Sequence, residues 1–261
     1  MNIEKVIKEL NQKYPGKAVF KNDEKETTEI LCEIEPCKEH SEYSNAIAVI
    51  DKSIPHIHYK TTETYKVIKG ILTLHVGNEV LTLKEGDSYV IKPNNVHWAE
   101  GDETWIECYS EPGWTLEDQI AAKNRDVAVV IFYDENGNVG VQHRESYSKA
   151  GEKYGLWGGR KEDGETPEEA MKREMQEELN YVPKQLEFWK EFTYVVDIEG
   201  DYLHWVINHD VFLSPITDEL MNAKVEEGDD VKVMSMQEAL DELDFRLIKP
   251  LLLDLKAKLG I

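Results

Sequence analysis

Glu174, Glu177 and Glu178 fall at i, i+3 and i+4 in the run PEEAMKREMQEELNY. On a helix of about 3.6 residues per turn that spacing puts three carboxylates on one face. Like charges so placed repel by about 0.2–0.5 kcal/mol per pair in a bare helix, and a bound cation reverses the sign. Carboxylate oxygens, completed by water and substrate phosphates, are the usual way of holding Mg²⁺. A second group has different chemistry. His56 and His58 flank Ile57, so on a strand they project from one face, one pleat apart. Glu63 and Gly70 follow, and further on Gly86 precedes Pro93 and His97. If a barrel brings these strands together, His56, His58, Glu63 and His97 converge. Such a set suits a first-row transition metal (Fe, Mn, Ni, Cu or Zn) better than Mg²⁺.

The acidic face needs a helix, and the local sequence specifies one. Pro167 fits a first turn, Thr166 before it caps, and Glu169 completes a capping box. Ala170, Met171, Met175 and Leu179 make the apolar stripe that packs on a sheet. Asn180 follows, a residue that tolerates the left-handed conformation past a helix end.

The imidazoles need a barrel. Ile3, Val6, Ile7 and Leu10 predict an N-terminal amphipathic helix, which ends before Tyr14-Pro15-Gly16. From about Thr27 come short β-branched and aromatic runs, TEILCEIE, NAIAVID, TYKVIK, ILTLHV, EVLTL, DSYVI, VHWAE and TWIECY, separated by turn signals that include Gly101-Asp102. Such runs predict an antiparallel sandwich or barrel. Ser110 to Asp126 is the expected boundary: Pro112-Gly113 breaks the last strand, and Thr115 with Asp118 caps a short helix through Ala122. Domains are therefore expected at 1–120 and 123–261. In the second, VAVVIFY, a turn at Asp134 to Gly137 and VGVQHRES read as a hairpin. LEFWKEFTYVV and YLHWVINHDVFL, joined at Glu199-Gly200, read as a longer one. A loop, a short strand and a helix follow in EEGDDVKVMSMQEALDEL. FRLIKPLLLDLKAKL is a last helix that Pro250 kinks or delays.

Composition narrows the partners. Of 261 residues, 52 are acidic and 30 basic, for a formal charge of -22. That balance lacks the basic stripe a nucleic-acid polymer requires, whereas a small phosphorylated substrate can still be met through metal ions. Cys32, Cys37 and Cys108 are an odd number without zinc-ribbon spacing, so reduced structural thiols are expected. The start MNIEKVIKEL alternates charges, and no apolar run approaches the ~20 residues of a membrane span. A cytoplasmic protein with no membrane partner is the expectation.

Gly158 to Tyr181 resembles the Nudix box of the Nudix hydrolase superfamily. The matching positions are Gly159, Glu165, Arg173, Glu174, Met175, Glu177 and Glu178, with Asn180 in the second glycine slot and Tyr181 in the last apolar slot. The resemblance implies an α/β/α sandwich over about 123–261 and Mg²⁺- or Mn²⁺-dependent attack of water on the diphosphate bond of a nucleoside diphosphate derivative. It makes Glu174, Glu177 and Glu178 the metal ligands. Arg173 would orient carboxylates, in the box or at Glu165, and Gly158 and Gly159 would permit close approach to metal and phosphates. A general base comes either from the box or from the loop carrying Glu226 and Glu227, with Glu227 the candidate there. Arg144 and Trp157 are candidate substrate contacts. An aromatic at the place of Trp157 is more often core than a base-stacking platform, and Tyr154 is ambiguous in the same way.

The His56, His58, Glu63, Gly70 spacing resembles the first motif of the cupin family, with Ile50 where a leading glycine is usual. The second motif is altered: Asn95 stands near the usual glycine and Pro93 lies one residue closer to His97, although Gly86 to His97 keeps its length. The fold class implied is therefore two domains, an all-β cupin (a double-stranded β-helix or jelly-roll barrel) followed by the Nudix sandwich. The resemblance implies Zn²⁺, Fe²⁺, Mn²⁺ or Ni²⁺ at the cupin site and leaves its role open between sensing and a sugar or sugar-phosphate isomerase. A regulator that binds nucleotide without cleaving it is the alternative for the whole chain, and a homodimer is a family-level expectation.

Overall fold

The computed structural model describes residues 1–146, 148, 152–196, 204–243 and 248–261. It forms two compact units, Met1–Lys123 with Val195–Val206, and Asn124–Tyr194 with Ile207–Ile261. The turn expected at Glu199-Gly200 lies outside the described residues.

The first unit opens with helix α1 (Ile3–Lys13), capped by the Asn2 side chain, whose Val6 and Leu10 are buried. Then come β1 (Val19–Lys21), β2 (Glu29–Glu35), β3 (Ser44–Lys52), β4 (His56–His58), β5 (Thr62–Lys69), β6 (Ile71–Val76), β7 (Glu79–Lys84), β8 (Ser88–Ile91), β9 (His97–Glu111) and β10 (Gln119–Ala121). They form one strongly curled antiparallel sheet in jelly-roll style. Period-2 alternation sets its two sides: Ile30 and Cys32 of β2 pack with α1, while Leu31 faces the barrel core with Tyr65, Val67, Leu72 and Ile106.

Strand β9 organises this unit. Its first part pairs with β6 and, at His56↔His97, with β4; its second part pairs with both β3 and β5. The turn expected at Gly101-Asp102 does not divide it. The change of direction is absorbed by Glu103, at φ 46°, and by the register shifts against β3 and β5, so VHWAE and TWIECY are one bent strand. The short helix expected from Thr115 is also absent. Gln119–Ala121 instead pairs with His56–His58, and the Asp118 carboxylate accepts backbone N–H bonds from Tyr59, Lys60 and Thr61. Three long-range partners outweigh the single local bond a cap would make.

The second unit has a seven-stranded sheet of β11 (Lys123–Tyr133), β12 (Asn138–His143), β13 (Tyr154–Gly155), β14 (Trp157–Arg160), β15 (Glu187–Val196), β16 (Trp205–Pro215) and β17 (Asp230–Ser235). Strand β11 shows the layering. Ala128, Val130 and Phe132 pack toward Met171 and Met175 of helix α2 (Pro167–Leu179) and Leu220 of the short α3 (Asp218–Met221). Val127, Val129 and Ile131 face the other way, toward Ala239 of α4 (Met236–Glu242) and Leu251, Leu252 and Leu255 of α5 (Ile248–Leu259). The result is an α/β/α sandwich. Among the described residues helix α5 runs over Ile248–Leu259 and includes Pro250; the start expected at Phe245 lies outside the described residues.

Candidate functional site

The acidic helix is built as its sequence specifies. Thr166 and Glu169 form a reciprocal capping box, Pro167 opens the first turn, and Asn180 ends the helix in the left-handed region at φ 46°. Burying Ala170, Met171, Met175 and Leu179 against the sheet turns the carboxylate face toward β14. There Gly158 donates its N–H to Glu178 Oε2 at 2.8 Å. A Cβ on Gly158, at φ 128°, would strike the Ala128 carbonyl, and one on Gly159 would sit 2.5 Å from Glu174 Oε2. Glycine at both positions is thus a condition for strand and carboxylates to approach.

Arg173 ties the group together. Its Nε and Nη2 donate to Glu165 at 2.8 and 3.0 Å. Nη1 donates to Glu174 at 2.8 Å and to Glu177 at 3.2 Å, and Nη2 also reaches the Arg160 carbonyl at 2.8 Å. This bidentate guanidinium holds Glu165 down at about 2. Glu178 is displaced the other way: burial first, then the charges of Glu174 and Glu227, push it up to about 8 against the opposing Gly158 N–H bond. Burial also raises Glu174, with Arg173 opposing. Crowded acids that resist ionisation are what a divalent cation would relieve, so the donor set fits Mg²⁺ or Mn²⁺.

The loop bearing Glu226 and Glu227 docks on the end of α2 through N–H bonds from both residues to the Glu178 carbonyl, at 2.7 and 3.2 Å. Glu227 itself is exposed, and its carbonyl accepts from Gln142 Nε2 at 3.0 Å. Arg144 Nη1 donates to Gln142 Oε1 at 3.3 Å, and its charge reaches Glu178. Trp157 is fully buried in the core under α2: it pairs with Val130 as Gly159 pairs with Ala128, so the indole lies on the α2 side of β14, beneath the apolar stripe of the helix rather than in the open. Tyr154 packs partly buried against the opposite core.

In the barrel, the ligand-type atoms of His56, His58, Glu63 and His97 all lie within 4.8 Å of one another, and all four residues are buried. The three helix glutamates form no such tight group among the described residues. His97 Nε2 lies 3.1 Å from Glu63 Oε2, and His58 Nε2 lies 3.5 Å from Glu63 Oε1. The outer nitrogens are held from behind: His56 Nδ1 by the Ile54 carbonyl at 2.8 Å, His97 Nδ1 by the Asn95 carbonyl at 3.0 Å, and His58 Nδ1 faces Asp118 Oδ2 at 3.7 Å. Partners of that kind fix which nitrogen points inward, as metal-ligating histidines require.

Burial, then repulsion from His97, pushes His56 down to about 3, so the ring is neutral. Burial would raise Glu63, but the His97 hydrogen bond and the imidazoles outweigh it and hold the carboxyl at about 2. Neither ring nitrogen of the buried His58 has a hydrogen-bond partner within normal distance. A neutral His56 ring, one ionised carboxylate and an unsatisfied buried His58 ring fit a transition metal. Asp118 escaped the sequence reading because it looked like a local cap, and only the pairing of β10 with β4 brings it to His58.

The NUDIX domain profile matches residues 123–254 and the Cupin_2 profile residues 47–105. The chain belongs to the NUDIX family and carries a cupin domain ahead of that region. It is 33% identical over 72 residues to 8-oxo-dGTP diphosphatase of Escherichia coli (strain K12); the match covers 28% of this chain and about half, 56%, of that protein. Among solved structures, a C. elegans Ap4A hydrolase complex is similar at 17% identity over 52% of this chain and 98% of its own, with a TM-score of 0.41. The Streptomyces protein Pac13 with uridine is similar at 12% over 42% and 88%, with a TM-score of 0.37. Among the described residues no helix is long and apolar enough to cross a membrane.

Proposed function

We propose that this protein is a Mg²⁺- or Mn²⁺-dependent hydrolase that cleaves the diphosphate bond of a nucleoside diphosphate derivative, with the site lying wholly within residues 123–261. The observation that carries the reading is the glutamate face of α2, fitted to Gly158 and Gly159 and braced by Arg173. Glu174, Glu177 and Glu178 hold the cation, which when bound offsets phosphate charge and acidifies water. Arg173 fixes the carboxylates and leaves the substrate alone, since its donors are already committed to Glu165, Glu174, Glu177 and Arg160. Glu227, exposed at the end of α2, is the candidate general base, and Arg144 is the candidate cation for a substrate phosphate. The test is a panel of nucleotides, nucleotide sugars and dinucleotides incubated with purified protein and Mg²⁺. Release of a phosphorylated product, abolished in Glu177→Gln, is expected; calorimetric binding without turnover would make the chain a nucleotide sensor instead.

The domain of residues 1–120 is read separately as a transition-metal site of His56, His58, Glu63 and His97, on the strength of their convergence and the unsatisfied His58 ring. Metal analysis tests it: wild type is expected to carry Zn²⁺, Fe²⁺, Mn²⁺ or Ni²⁺ near one equivalent, and a His56→Ala, His97→Ala double variant only traces. Equal sub-stoichiometric content in both would remove this reading.

A further inference from the structure

The histidine cluster stands at the wall of a cavity of about 290 Å³ inside the barrel, lined in part by His56 and Glu63. Three more carboxylates border the same space, Glu29, Glu33 and Glu35, all from β2. Among the described residues no lysine or arginine lines it. Its remaining polar edges are uncharged: Asn45, whose Oδ1 has no hydrogen-bond partner, Gln119, and the hydroxyls of Ser44, Ser110 and Tyr65. Trp114 supplies a flat apolar side, its indole N–H already given to Gln119 Oε1 at 2.9 Å. The surplus of acceptors calls for a ligand rich in donors. Beyond a single divalent ion at the histidine cluster, no cationic side chain offsets Glu29, Glu33 and Glu35, and these carboxylates repel phosphate and carboxylate groups. The volume sits near the lower end of the roughly 300–1,000 Å³ usual for small-molecule sites, enough for one small ring compound.

We propose that the barrel cavity binds an uncharged, multiply hydroxylated ring compound, an unphosphorylated sugar or nucleoside, with its hydroxyls turned toward the His56, His58, Glu63, His97 cluster. This bears on how the two domains are related. On the reading of residues 123–261 given above, hydrolysis of a diphosphate bond leaves a phosphate monoester, an anion the cavity rejects. For that product to become the barrel's ligand, a phosphomonoester hydrolysis must come between, in which water cleaves the ester to alcohol and inorganic phosphate. The ligand class of the cavity does not depend on that reading.

The test is calorimetry on the full-length protein reloaded with Zn²⁺, without Mg²⁺, using glucose against glucose 6-phosphate and adenosine against adenosine 5′-monophosphate, with glucosamine as the amine control. Binding of glucose or adenosine at least about tenfold tighter than of its phosphate ester is expected, and the two pairs separate the sugar from the nucleoside. A tighter phosphate ester, a preference for glucosamine over glucose, or no binding of either neutral probe overturns the proposal. Ala46→Trp, which fills the cavity, should abolish neutral binding; retention of binding in the folded variant also overturns it. Glu33→Lys is the second variant should Ala46→Trp not fold. It should improve phosphate-ester binding by on the order of tenfold, and no change in the ratio of ester to parent counts against the proposal.

Discussion

The two clusters of ionisable residues meet the cost of gathering charge in opposite ways. In the barrel the ligand-type atoms lie within 4.8 Å of one another on paired strands. Imidazoles can shed their charge: His56 sits at about 3 and is neutral, leaving Glu63 as the ionised member at about 2. Backbone carbonyls behind His56 and His97 then lock the rings. On α2 every donor is a carboxylate, and carboxylates at close quarters shed charge only by taking up protons. Burial, reinforced by the charges of Glu174 and Glu227, raises Glu178 to about 8, while Glu174 and Glu177 lean on Arg173. A site of neutral donors on paired strands can be assembled beforehand. A site of anions on one helix is the kind that a bound divalent cation would draw together.

That contrast is tested most severely by cross-substitution. Glu177→Gln is expected to lower hydrolysis by about 10²–10⁴-fold, whereas His97→Ala should leave kcat within about twofold. Comparable losses in both, measured on the same substrate, would show that the sites work as one.

Metal retention gives the next largest difference. After exhaustive dialysis without chelator, the wild-type barrel should keep its transition metal, because the ring orientations are already fixed. His56→Ala should weaken Zn²⁺ binding by well over the ~10–100-fold typical of losing an outer partner alone. Mg²⁺ at α2 should be lost in the same dialysis, as read by activity restored only on adding Mg²⁺. Retained Mg²⁺ would mean that the carboxylate site too is preassembled.

The pH dependence of metal-free stability should differ in sign between the two residues. Glu178 has a folded-state value of about 8 against an ordinary 4.5. Between those values the folded protein binds more protons than the unfolded chain, so stability falls as pH rises through that window. Glu178→Gln should therefore raise stability above pH 8 by about 2 kcal/mol, discounted for coupling to Glu174 and Glu227. His56 lies at about 3 against 6.5. There the unfolded chain binds more protons, so stability is lost as pH falls below 6.5, and His56→Gln should flatten the acid side. Glu29, raised by burial to about 7, slopes the same way as Glu178, so the informative quantity is each variant's difference from wild type in urea midpoints with chelator present. A Glu178→Gln effect confined to acid pH would overturn the assignment.

What the sequence made legible was local. The cap at Thr166, the stripe of Ala170, Met171, Met175 and Leu179 and the left-handed Asn180 are set by neighbours within a few residues, and the histidine spacing is set by the two-residue pleat of β4. What it hid depends on pairing between distant strands. In TEILCEIE the alternating Glu29, Leu31 and Glu33 look like a solvated edge, yet β2 turns that face into the cavity. A strand's polar face and a cavity's polar lining share one pattern, and only closure of the sheet separates them. Trp157 was undecided because its role turns on which side of β14 meets α2. Its pairing with Val130, as Gly159 pairs with Ala128, puts the indole on the α2 side, under Ala170, Met171 and Met175.

Asp118 offers the smallest and most discriminating effect, since it links the strand pairing to the metal site without being a ligand. Its carboxylate accepts from Tyr59, Lys60 and Thr61 and stands behind His58. Burial would raise its pKa, but the N–H bonds from Thr61, Lys60 and Tyr59 outweigh that and hold it low. Asp118→Asn keeps one acceptor oxygen but loses the charge and brings an NH₂ toward donors, so it should cost about 1–2 kcal/mol. It should also weaken Zn²⁺ binding by roughly tenfold through the freed His58 ring. Hydrolysis at α2 should be unchanged. The stability loss alone would follow from any damaged turn. The paired loss of Zn²⁺ affinity would not, and its absence would show that the pleat of β4 and the bend of β9 already hold His58 without help from behind.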